Sequence, residues 1–102
     1  MDTDTTDGSA FEVRDAPDRS RYEVLVDGQV VGVADYRIDG DVVVLPHTEV
    51  APGMRHRGLA ARLVAHVLDD VRASGRRVEP RCWYVARYIR RHPEYADLVA
   101  GT

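Results

Sequence analysis

Residues 11–50 alternate between apolar and polar side chains, which is the period expected of β-strands. Asp27-Gly28 and Asp39-Gly40 interrupt this alternation, and an Asp-Gly pair is a strong signal for a two-residue hairpin turn. The pattern predicts a first short strand and then a three-stranded antiparallel meander, with strands at Phe11–Arg14, Tyr22–Val26, Val30–Ile38 and Val42–Val50. Proline cannot donate a backbone hydrogen bond, so Pro46 predicts an edge, a bulge or a local opening in the last strand.

After Ala51-Pro52-Gly53 the apolar residues recur every three or four positions, which indicates one face of a helix. Gly75 is expected to end this helix. A short strand at Arg77–Arg81 and a second helix at Tyr84–Arg91 follow, and His92-Pro93 ends the second helix. This order predicts an α+β fold, in which helices cover a mainly antiparallel sheet of about five strands.

The length of 102 residues predicts one domain, which we place at residues 10–102 after a disordered tail of residues 1–9. The longest aliphatic run, Val42–Leu45, is far shorter than the roughly 20 residues that cross a bilayer. The acidic N-terminus does not have the features of a secretory signal, and Cys82 is the only thiol, so no internal disulfide can form. These features favour a cytoplasmic protein.

Charge is distributed unevenly along the chain. Residues 1–50 contain 4 Arg and 12 acidic residues, whereas residues 51–102 contain 10 Arg and 5 acidic residues. A basic half within a chain of net charge −3 suits a local anionic ligand better than a nucleic acid, although a solvated Arg-rich surface would give the same counts. The sequence has no convincing metal-ligand spacing.

The segment from Val50 to Ala60 joins the end of a predicted strand to the start of a predicted helix. Backbone N–H groups at a helix N-terminus have no partner within the helix, and together with the helix dipole they attract anions. Gly58 lets the main chain approach a diphosphate closely, and Arg55 and Arg57 add positive charge. An ordinary strand-to-helix turn would also contain glycine, so this pattern alone leaves both interpretations open.

Arg55-x-x-Gly58-x-Ala60 resembles the Gln/Arg-x-x-Gly-x-Gly/Ala signature of GNAT-type N-acetyltransferases. Further segments are similar to a minimal single-domain branch of that superfamily: His47-Thr48-Glu49-Val50, Val78-x-Pro80-x-Cys82 and Tyr88-Ile89-x-x-His92-Pro93-Glu94-Tyr95. The resemblance covers most of the chain beyond residue 9, and all of these segments in order are far more specific than any one of them.

The resemblance implies that acetyl-CoA is the co-substrate and that the sheet opens after Val42–Val50 to admit the pantetheine arm. The lack of metal-ligand spacing, with Cys82 as the only thiol, predicts that no metal takes part. By the same resemblance, the strand end supplies backbone groups to that arm and the following turn surrounds the diphosphate. The residues that would contact the cofactor are Val50, Arg55, His56, Arg57, Gly58, Leu59, Ala60, Cys82, Tyr84 and Tyr88.

Acetyl transfer to an amine needs a proton acceptor and a group that protonates the leaving thiolate. His47 and Glu49 share one face of their predicted strand, and either is a candidate base or an ordinary polar residue on a solvated face. Cys82 is a candidate nucleophile, but packing near the cofactor thiol is the interpretation we favour. Tyr88, and less so Tyr84, is a candidate proton donor, although aromatic residues on a short helix more often serve in packing.

Full-length members of this superfamily place one or two helices between their first two strands, and the interval from Arg14 to Tyr22 is too short for them. We therefore expect an open, shallow acceptor side. The sequence predicts an N-acetyltransferase that acts on an amine, either a small molecule or a protein, and does not act on nucleic acid or membranes. The alternative is a CoA-binding or protein-interaction module with little or no catalysis.

Overall fold

The computed structural model describes the backbone of residues 11–101 and, apart from residues 55–57, their side chains. Its five strands are β1 Phe11–Ala16, β2 Arg21–Val26, β3 Gln29–Asp39, β4 Val42–Val50 and β5 Arg77–Pro80. The two α-helices are α1 Leu59–Ala73 and α2 Trp83–Arg91, and 3-10 turns occupy Pro17–Arg19, Pro52–Arg57 and Pro93–Leu98. The disordered tail predicted for residues 1–9 lies outside the described residues.

The strands form one sheet in the order in which they occur along the chain. β1 to β4 are antiparallel neighbours, and β5 joins β4 in parallel. In the first hairpin Asp27 and Gly28 both have positive φ angles, 50° and 84°, as a tight turn between twisted strands requires. The second turn lies at residues 40–41, one residue later than predicted, because Asp39 still pairs with Val42.

The predicted α+β fold is therefore confirmed: a mainly antiparallel five-stranded sheet, a long helix after the fourth strand and a short C-terminal helix. The first strand is two residues longer than predicted and the last strand is one residue shorter. In the part of the chain that the structure describes, no helix has the length and apolarity needed to cross a membrane.

Both helices cover the same face of the sheet. The buried stripe of α1 packs with apolar residues of α2 and of the strands into one core. Six residues of α1 make up that stripe: Leu59, Leu63, Val64, Val67, Leu68 and Val71. Within residues 11–101, no helix covers the opposite face, because the link between β1 and β2 holds only the turn Pro17–Arg19. We call this uncovered side the open face; its residues on β3 and β4 include Val33, Asp35, His47 and Glu49.

A buried carboxylate lies on the open face of β2. Glu23 has no accessible side-chain surface, and its two oxygens accept hydrogen bonds from the guanidinium groups of Arg14, Arg19 and Arg21 at 2.9–3.2 Å. These guanidiniums, Arg21 first, hold the pKa of Glu23 below its ordinary value although burial opposes them. The three arginines remain 32–56% exposed, so this part of the open face carries an excess of positive charge.

The proline within β4 marks an irregularity, as predicted. His47 pairs with Asp35 and Val44 pairs with Arg37, so Leu45 and Pro46 together oppose one residue of β3. Such a bulge reverses which positions face the core. Leu45 is buried under the helices before the bulge, whereas after it Val50 is buried there and His47 is turned to the open face.

Candidate functional site

A cleft opens where β4 and β5 separate. Their parallel pairing ends at Leu45 and Pro80, and the backbone amides of Arg81 and Cys82 both donate to the Leu45 carbonyl at 3.1 and 2.9 Å. Residues 46–49 of β4 continue beside β3 after the pairing with β5 has ended, so their other edge faces the space between β4 and α2. The cleft has a volume of about 530 Å³ and is lined by His47, Thr48, Glu49, Val50, Gly58, Ala60, Ala61, Trp83 and Tyr84.

The N-terminus of α1 forms one end of the cleft. Gly58 has φ 71°, a left-handed conformation that side chains disfavour, and it turns the chain from the 3-10 turn into α1. Among the described side chains none caps this helix, and the amides of its first turn have no partner within the helix itself. The side chain of Leu59 is buried in the core, which leaves its backbone as the part that can face a ligand.

Three residues predicted to surround a diphosphate belong to the same turn. The backbone of Arg55, His56 and Arg57 ends the 3-10 turn immediately before Gly58. Their side chains lie outside the described residues, so their contact with a diphosphate stays a prediction.

His47 and Glu49 share the open face of β4, as their alternation predicts. His47 Nε2 lies 3.1 Å from Glu49 Oε1, and the two side chains are 54% and 63% exposed. When the imidazole is neutral and Nε2 carries the proton, Nε2–H donates to the carboxylate and Nδ1 has a free lone pair. In that tautomer the Glu49 carboxylate orients the imidazole, and Nδ1 can accept a proton.

Thr48 lies between those two residues and points to the other side of the strand. Its hydroxyl oxygen is buried and has no hydrogen-bond partner among the described residues. Because a buried hydroxyl without a partner costs free energy, such a group needs an explanation. Thr48 lines the cleft, and a ligand there would supply the missing partner.

Cys82 precedes α2 and is buried, with 7% of its surface exposed. It belongs to the hydrophobic core, together with Val85 and Ile89 of the helix that follows. A thiol that is packed in a core in this way behaves as a small apolar side chain. This location favours packing over nucleophilic attack, which agrees with the interpretation preferred from the sequence.

The two candidate tyrosines of α2 occupy different positions. Tyr84 lines the cleft, whereas Tyr88, one turn later, lines an adjoining groove and stacks on His92 with ring centroids 3.9 Å apart. Burial raises the pKa of both phenols, so each stays protonated over the range where most enzymes work. The described geometry therefore places Tyr84, and not Tyr88, in the same cleft as His47 and Glu49.

The cleft is lined by half of the twelve residues predicted from the sequence, and they come from both sides of the opening. It also contains three that sequence reasoning did not select, namely Thr48, Ala61 and Trp83. Ala61 follows the signature residue Ala60, so its position on the first turn of α1 could have been predicted from the sequence. Thr48 stands out only because its buried hydroxyl has no hydrogen-bond partner among the described residues, and hydrogen bonding of that kind is decided by the packed structure.

The segment from β2 to the last turn matches a known family. Residues 21–98 match the family model described as GCN5-related N-acetyl-transferase. The chain belongs to this family. By this membership the chain is an acetyltransferase. The match confirms the resemblance that the sequence analysis found.

Similar proteins and structures agree with this assignment. Protein NATD1 of Mus musculus is 29% identical over 89 residues, which are 84% of this chain and 80% of that protein. A GCN5-like protein from Staphylococcus aureus has a solution structure with a TM-score of 0.69, 16% identity and 89% coverage of each chain. The Escherichia coli ribosomal-protein-S18-alanine N-acetyltransferase has a TM-score of 0.56 and 20% identity; the similarity covers 59% of this chain and 39% of that one. At these identities the structures establish a shared fold.

Proposed function

We propose that this acetyltransferase binds acetyl-CoA in the cleft between β4 and α2 and transfers the acetyl group to an amine that approaches from the open face. The observation that carries the proposal is the cleft itself, because it brings together His47, Glu49, Gly58, Ala60 and Tyr84 from three separate segments of the chain.

The chemical groups around the cleft fit such a ligand from end to end. The first turn of α1, which no described side chain caps, offers amides to the diphosphate, and the helix dipole favours the negative charge there. The edge of β4 at residues 46–49, which faces the cleft, offers backbone groups to the amides of the pantetheine arm. The buried Thr48 hydroxyl is available for one further hydrogen bond, to a pantetheine amide or to the thioester carbonyl.

The acceptor amine approaches from the open face. In the proposed reaction the amine nitrogen attacks the thioester carbon, a nitrogen–carbon bond forms, and the carbon–sulfur bond breaks as the thiolate leaves. His47 and Glu49 act as one unit that takes the proton from the amine, with Glu49 orienting the imidazole or the two exchanging these roles. A phenol returns a proton to the thiolate, and Tyr84 is placed for this because it lines the cleft. Tyr88 remains the alternative donor.

Binding is tested by calorimetry with acetyl-CoA and with desulfo-CoA. We expect both ligands to bind, with affinity that falls as salt rises, because the diphosphate contacts are ionic. Arg55→Ala and Arg57→Ala are expected to weaken both ligands, whereas Arg90→Ala, on the exposed side of α2, serves as the matched control. Failure of either ligand to bind at millimolar concentration would contradict the proposal.

Catalysis is tested with labelled acetyl-CoA and a panel of amines. If His47 and Glu49 act as one unit, then His47→Ala, Glu49→Gln and the double variant should lose turnover to a similar extent. A protein that binds acetyl-CoA and acetylates none of the amines would support the alternative of a CoA-binding module. Unchanged turnover in both single variants would remove the base assignment.

A further inference from the structure

Trp83 is the most exposed large apolar residue of the described chain, with 69% of its surface accessible. It is the first residue of α2 and the only tryptophan in the sequence. Its ring meets that of Tyr84 edge-on, with centroids 5.8 Å apart, and it takes no part in the hydrophobic core. An indole held in solvent at the rim of a cleft is typical of a surface that a ligand covers.

Across the cleft from Trp83, Glu49 presents an exposed carboxylate. Glu49 is 63% exposed, and among the described side chains its ionic partner is His47. Asp35 lies directly opposite His47 on the same face, but Arg21 lies opposite it on the other side, so its charge is offset. Farther along this face, Glu79 is already paired with Arg81. The mouth of the cleft therefore favours a positively charged group.

The charges on the rest of the open face favour the approach of a cationic acceptor from one side. Arg14, Arg19 and Arg21 surround a single carboxylate on β2 and leave an excess of positive charge there. β2 is two strands from β4, a distance of about 10 Å. A chain with two cations would be repelled from β2 and drawn toward β4 and α2, where Trp83 lies.

We infer that Trp83 and Glu49 form the acceptor subsite, and that this subsite selects an alkylamine carrying a second positive charge. Glu49 and His47 receive the ammonium group that reacts, while the indole face of Trp83 contacts the methylenes and the second cation through a cation–π interaction. The inference rests on the acetyl transfer proposed above and specifies its acceptor. Free diamines and lysine side chains beside another cation share this chemistry.

The first test uses the fluorescence of Trp83, which has no background from other tryptophans. Protein saturated with desulfo-CoA is titrated with 1,4-diaminobutane and, as its matched monocation, with butylamine. We expect a change in emission at about fivefold lower concentration for the diamine. Equal responses to the two amines, or no response to either, would overturn the inference.

The second test compares kcat/KM for matched acceptors in the wild-type protein and three variants. The acceptors are the same two amines and two lysine peptides, one with arginine and one with glutamine next to the lysine. The amine pair tests free diamines, and the peptide pair tests lysine side chains beside another cation. Trp83→Ala should lower the preference for the dication about fivefold, and Trp83→Phe should keep most of it. Ile38→Ala, an exposed apolar residue away from the cleft, is the control.

Calorimetry with acetyl-CoA on each variant separates this inference from the proposed function. If the wild-type protein does not bind acetyl-CoA, the proposed function fails first. If binding is intact and Trp83→Ala leaves the dication preference unchanged, the acceptor inference alone is wrong. If Trp83→Ala weakens acetyl-CoA as much as the acceptor, Trp83 belongs to the cofactor wall, which also rejects the inference.

Discussion

Replacing Thr48 with valine should stabilise the free protein and weaken its ligand at the same time. The two side chains have the same shape, so the change removes a buried hydroxyl that has no partner among the described residues. Relief of an unsatisfied buried group contributes about 1 kcal/mol to the free energy of unfolding. In a domain of this size that raises the midpoint of thermal unfolding by about 4–8 °C.

The same hydroxyl is expected to bond to the cofactor, and losing one such bond costs about 0.5–1.5 kcal/mol of binding free energy, or about two- to twelvefold in affinity for acetyl-CoA. Thermal unfolding without ligand and calorimetry with acetyl-CoA measure the two effects separately. Thr48→Ser keeps the hydroxyl, so it should retain affinity while losing about 0.8 kcal/mol of stability with its methyl group. A Thr48→Val protein that is less stable without ligand would refute the reasoning, because the hydroxyl would then already have a partner.

Three other residues carry predictions of different kinds. Glu23→Gln should lower the free energy of unfolding by about 2 kcal/mol. This is less than the loss expected on breaking an ion pair of which both partners are buried, because the arginines that cover Glu23 are half exposed. Since folding lowers the pKa of Glu23, its contribution is present at neutral pH and is lost as the pH falls below about 5; denaturation against pH should show a smaller acid loss in the variant, and identical slopes would contradict this. Cys82→Ala should keep most of its turnover, and mass spectrometry of the wild-type protein with acetyl-CoA should show no acetyl adduct on Cys82; an adduct lost in the variant would support the covalent route instead. Tyr84→Phe should lower kcat by about 100-fold or more, and by more than Tyr88→Phe does, because Tyr84 shares the cleft with the proposed base; the opposite order would assign the proton donor to Tyr88.

The sequence by itself determined the secondary structure and the family. The alternation of residues 11–50, the two Asp-Gly turns and the spacing of apolar residues after Pro52 are local signals, since they depend on residues close together in the chain. They predicted each strand and helix to within two residues at the ends that differ. The signature around Gly58 is local as well, and it led to the family that the comparison then established.

Only the tertiary structure decided which side chains share the cleft. Alternation placed His47 and Glu49 on one face, but it could not show that they lie 3.1 Å apart or that Tyr84, rather than Tyr88, faces the same space. Those facts depend on where β4 separates from β5 and on how α2 packs, which are contacts between distant segments. The buried Thr48 hydroxyl, which has no partner within residues 11–101 as described, and the exposed indole of Trp83 arise in the same way, because burial and hydrogen bonding are properties of the packed chain.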